Sequence, residues 1–83
     1  MIKTKKQDWE DLIRETKAYW QDSDISHVDR ANKASRKIAK QCGVDWLCIS
    51  HLAECIFSSP GFAPEQPETV LFEILKILGI EAE

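Results

Sequence analysis

The sequence predicts an all-α fold, a single small domain of four helices packed as a bundle or an orthogonal array. Three observations carry this. Apolar residues recur at three- and four-residue spacings in four segments, at about residues 5–20, 25–42, 45–58 and 67–78. The three glycines and three prolines all fall between these segments or at their ends, where helices stop and start. No stretch alternates apolar and polar residues as a half-buried strand does. The 83 residues suffice for one core and not for two.

The first helix places Trp9, Leu12, Ile13, Thr16 and Trp20 on one face, with Tyr19 widening the stripe. Thr4 with Gln7, or Asp8, is positioned to cap its start. A polar break follows at Gln21-Asp22-Ser23-Asp24. In the second helix Ser26 and Asp29 approximate a capping box. Its inner face reads Ile25, Val28, Ala31, Ser35, Ile38, Ala39 and Cys42, and these small side chains let a neighbour approach closely. Arg30, Lys33, Arg36, Lys37 and Lys40 face outward. Gly43 is placed to end the helix in the left-handed conformation.

Asp45 is placed to cap the third helix. The segment from Val44 to Phe57 is apolar on nearly every side, interrupted only by Asp45, Ser50, His51 and Glu54. A helix of that kind must be surrounded, by its own domain or by a partner. Ser58 to Pro67 reads as a loop, and Pro67 suits the first turn of the fourth helix. Val70, Leu71, Ile74, Leu75 and Leu78 make that helix's inner face. Gly79-Ile80 predicts a Schellman stop with Ile80 folded back toward Leu75, followed by a frayed end at Glu81-Ala82-Glu83.

Composition bounds the function. An apolar fraction of 43% is that of a folded protein rather than a disordered chain. No apolar run approaches the roughly 18 residues that span a bilayer, so no membrane association is expected. The basic start, Met1 to Lys6, lacks the apolar core of a signal peptide. Three cysteines, an odd number without framework spacing, agree with a reducing compartment, and the expectation is a cytoplasmic protein. The net charge of −3 is segregated: residues 1–42 sum to +3 and residues 43–83 to −6. An acidic face of that kind suits a basic partner.

Candidate chemistry is sparse. Cys48, His51 and Cys55 share one helical face. Cys48 and Cys55 lie two turns apart, roughly 10 Å along the axis. Short thiols cannot both reach one zinc ion at about 2.3 Å across that gap. The cysteines therefore read as small core hydrophobes, with no metal site and no cofactor expected. No Gly-rich phosphate loop, nucleophile elbow or oriented Cys-His pair is present, so enzyme activity is not expected.

Two binding readings remain. In the first, Trp46, Leu47, Phe57, Phe62 and Phe72, with Glu68, form an apolar, aromatic and acidic face for a protein partner or a second copy of the chain. That describes a non-enzymatic interaction module of the inhibitor, immunity-protein, antitoxin or adaptor kind. The second starts from Ser35 to Glu54, which resembles the helix-turn-helix of DNA-binding regulators. Ile38-Ala39 fits its apolar-plus-small pair, Cys42-Gly43-Val44 its turn, and Ile49 and Leu52 its inward positions. The resemblance implies a helix-turn-helix-like corner with Trp46, Leu47, Ser50 and His51 toward the major groove and Lys33, Lys37 and Lys40 toward phosphates. The would-be reading helix departs from the pattern, having no Arg, Lys, Asn or Gln between Asp45 and Ser59. Those residues supply most base and phosphate contacts. A protein partner is the primary expectation and nucleic acid the alternative.

Overall fold

The computed structural model describes residues 2–58 and 67–83. In chain order they form β1 (Ile2–Thr4), α1 (Lys6–Asp22), α2 (Ile25–Cys42), α3 (Trp46–Ser58), α4 (Pro67–Leu78) and β2 (Ile80–Ala82). Four helices dominate, as the apolar periodicity predicts. The two short strands were not expected.

Helix α1 buries Trp9, Leu12, Ile13 and Thr16 along one stripe. Its C-cap is Ser23, at φ 58° in the left-handed region, with its amide bonded to Tyr19 O at 2.8 Å. Ser23 and Asp24 alone separate α1 from α2, so the two helices form an αα-hairpin. Helix α2 presents Ala31, Ala34, Ser35, Ile38 and Ala39 to the core, and these small residues let α1 pack close. At the hairpin tip that cover ends. Trp20 is 53% exposed and Ile25 74% exposed, against their expected inward positions. Caps also differ from expectation. Lys5 precedes α1 with no side-chain cap, and Asp24, not Ser26 with Asp29, caps α2 by accepting from the Ser26 amide.

Gly43, at φ 72°, ends α2 and turns the chain. The Gly43 and Val44 amides both bond to Ala39 O, at 2.8 and 3.2 Å. Asp45 then caps α3, its Oδ1 accepting from the Leu47 amide at 3.0 Å. Among the described residues helix α3 is covered along one side. Ile49, Ala53 and Ile56 form one buried stripe, and Trp46, Leu52 and Phe57 flank it half-buried. Helix α4 buries Pro67, Leu71 and Leu75. Leu78, expected on that inner face, is 56% exposed, and Ile77 is 85% exposed.

The expected frayed end is instead ordered. β2 pairs with β1 in parallel, in the register Ile2↔Ile80, Lys3↔Glu81 and Thr4↔Ala82. The pairing continues past the strands, with Glu83 N donating to Thr4 O at 2.9 Å and Lys6 N to Glu83 O at 2.8 Å. A buried side chain locks it. Thr4 Oγ1 donates to Glu81 O at 2.9 Å and accepts from the indole N–H of fully buried Trp9 at 2.7 Å. Gln41 adds a second tie, accepting from the Lys5 amide and donating to Asp8 Oδ2.

Two substitutions test this account. Thr4→Val keeps the shape but leaves the Trp9 indole N–H buried and unpaired; the expected loss is about 2–3 kcal/mol in urea unfolding, and Thr4→Ser retains most of it. Ser35 is fully buried, and its Oγ has no hydrogen-bond partner among the described residues. Ser35→Ala removes that unsatisfied group and adds helix propensity, so the midpoint of unfolding rises, by about 1 kcal/mol in stability.

Candidate functional site

The α2–α3 corner concentrates exposed chemistry. Lys33, Arg36, Lys37 and Lys40 stand at i, i+3, i+4 and i+7 along α2, a single ridge roughly 10 Å long, and all four are exposed. None makes an ion pair among the described residues. The Arg36 guanidinium instead lies over the Trp46 ring, 4.8 Å from its centroid. Trp46, the first residue of α3, is half-buried against α2. A groove of about 600 Å³ opens there, lined by Arg36, Ala39 and Lys40 of α2, by Gly43, Val44 and Asp45 of the turn, and by Trp46. Val44 and Leu47 stand exposed beside it, Leu47 at 57%.

The outward face of α3 is of a different character. Leu47, Cys48, His51, Glu54 and Cys55 are exposed and include no cation, and Ser50 is half-buried. Cys48 and Cys55 are therefore surface thiols and not the core hydrophobes their composition suggests; only Cys42 is partly covered, and burial raises its pKa. His51 Nε2 lies 3.4 Å from Cys55 Sγ. Among the described residues no three His, Cys, Asp or Glu gather as metal ligands. No helix among them is long and apolar enough to cross a membrane.

The expected protein-binding set does not form one patch. Trp46 and Leu47 lie at the start of α3, and Phe57 lies about 17 Å further along the helix, turned partly into the core. Phe72 is half-buried on α4 beneath the Lys6 ammonium, 5.6 Å from its ring centroid. Glu68 is exposed on the first turn of α4, and Phe62 lies outside the described residues. The alternative set is more coherent: Lys33, Lys37 and Lys40 share the ridge that leads toward Trp46, while Ser50 and His51 lie further along α3. Sequence reasoning put Arg36 on the outer face but missed its stacking on Trp46. The ten-residue separation across a turn left no local signal for that contact.

A second charged cluster joins the α1–α2 hairpin. His27 Nδ1 lies 2.7 Å from Glu15 Oε2 and its Nε2 3.1 Å from Asp22 Oδ2. Both nitrogens thus face carboxylates, which favours the protonated ring, while the Arg30 guanidinium also lies 2.9 Å from Nδ1. The hydrogen bond to Glu15 is the main cause that raises the His27 pKa, against desolvation, with Asp22 adding to the rise. The same bond lowers the Glu15 carboxyl, aided by Arg30, whose Nε is 3.1 Å away.

The linkage follows from the signs. A raised histidine contributes stability that is complete below the unfolded pKa of about 6.5 and is lost as pH rises through the folded value. A lowered glutamate contributes stability that is present above about 4.3 and is lost as pH falls through its folded value. The cluster is therefore strongest between those two pKa values. Urea midpoints of the wild type should fall as pH rises from about 6 through the folded His27 pKa, and His27→Gln should flatten that step. An unchanged step in the variant would assign it to another group.

Comparisons with protein-family models, with curated proteins and with solved structures find no match to this chain.

Proposed function

We propose that the chain is a non-enzymatic protein-interaction module that docks on a macromolecular partner through the α2–α3 corner. One observation carries the reading. Val44, in the turn after Gly43, stands exposed in the lining of the Trp46 groove, and Leu47 stands exposed on the first turn of α3, whose outward face has no cation. Single exposed apolar residues are ordinary, but two beside an aromatic-lined groove make an anchor point. The neighbouring ridge of Lys33, Arg36, Lys37 and Lys40 suits acidic groups on the partner around that anchor, and would set its salt-dependent approach. Inhibitors, immunity proteins, antitoxins and adaptors work by docking of this kind. The cations expected on the outer face of α2 thus flank this anchor, with Asp45 in the turn beside them.

A second reading has its own support. Four cations without ion-pair partners among the described residues, on one helix stripe that ends at an aromatic ring, also suit phosphates. The cation-free face of α3 speaks against base reading by the second helix of the corner.

Capture from the native host, with light scattering of the purified protein at micromolar concentration, separates the readings. Leu47→Asp should abolish capture of a protein partner, or self-association, at least tenfold while the protein stays folded. A mobility shift of duplex DNA at low salt that Lys33→Ala, Lys37→Ala and Lys40→Ala remove together would establish the second reading in its place.

A further inference from the structure

β2 has two edges, and the register assigns each residue to one of them. Ile2 N donates to Gly79 O, Glu83 N to Thr4 O and Lys6 N to Glu83 O. Gly79, Glu81 and Glu83 therefore turn their backbone groups toward β1. In a parallel ladder the intervening residues turn theirs the opposite way. The N–H and C=O of Ile80 and Ala82 accordingly point to the far edge, where no strand pairs with β2 among the described residues. A groove of about 470 Å³ adjoins β2, lined by Phe72, Leu75 and Lys76 of α4, by Gly79 to Ala82 and by Lys6. Its apolar lining comes from Phe72, Leu75, Ile80 and Ala82. Its charged groups are two lysines and Glu81, and neither Lys6 nor Lys76 has an ion-pair partner among the described residues.

We infer that this groove is a strand-addition site for an extended peptide that alternates apolar and acidic residues. The open edge of β2 supplies main-chain hydrogen bonds from Ile80 and Ala82. The apolar walls take alternate side chains, and Lys6 and Lys76 take the carboxylates. A second copy of the chain fits less well. Antiparallel pairing in which Ile80 and Ala82 exchange bonds with their counterparts sets Glu81 directly opposite Glu81, a like-charge pair. The site is separate from the α2–α3 corner and does not rest on the function proposed for it.

The test uses blocked hexapeptides in titrations of the whole chain, read by amide NMR shifts and calorimetry. A peptide alternating valine and glutamate should bind saturably, shifting the Ile80 and Ala82 amides, and at least tenfold more tightly than the valine–lysine counterpart. N-methylation of alternate peptide bonds should abolish binding, since it removes the main-chain donors. Ala82→Pro removes an outward N–H that β1 does not use, and proline is tolerated on such edges. This variant should keep the native amide spectrum and lose at least tenfold in affinity; if it unfolds, Lys76→Glu supplies the same loss at an exposed position. Equal binding of the N-methylated peptide, equal binding of the valine–lysine peptide, or a dimer whose interface shifts the same amides would each overturn the inference.

Discussion

The hydroxyl of Thr4 is the point on which the rest of the structure depends. It holds the indole of Trp9, the largest fully buried side chain, and the carbonyl of Glu81. One small polar group thus satisfies a buried donor in the core and fastens the far end of the sequence to its beginning. Without such a clasp, a tryptophan at the centre of a small helical core would bury an unpaired N–H. With it, α1 is anchored at its first turn and α4 at its last.

Much of the fold was legible because helices announce themselves locally. Trp9, Leu12, Ile13, Ile38, Leu71 and Leu75 follow helical spacing, and all are buried. Gly43 and Asp45 mark the corner by turn and cap chemistry, and both do what their residue types suggest. The errors fall where a local pattern continues beyond its neighbours. Trp20, Ile25 and Leu78 keep the helical period but lie exposed near helix ends among the described residues. The strands were illegible for the opposite reason. Three residues carry no periodic signal, and each strand partner lies 78 residues away.

The candidate site was legible in its cations and not in its arrangement. Lys33, Lys37 and Lys40 could be placed on the outside of α2 from spacing alone. Several acids near the hairpin are paired with residues off that ridge: Asp11 with Arg14, Glu15 with His27 and Arg30, and Asp22 with His27. The formal charge of the first half therefore understates how basic its exposed α2 ridge is.

The parallel pairing of residues 2–4 with 80–82 encloses all four helices in one closed loop of chain. Closing a flexible loop of that length costs on the order of 4 kcal/mol in chain entropy. The αα-hairpin contacts, by contrast, are local and cheap to form. The order of assembly follows: the hairpin and corner condense first, and the strand pair joins a chain already held nearly in place. Thr4 is then a late latch, so its contribution appears in how fast the folded molecule opens more than in how fast it forms.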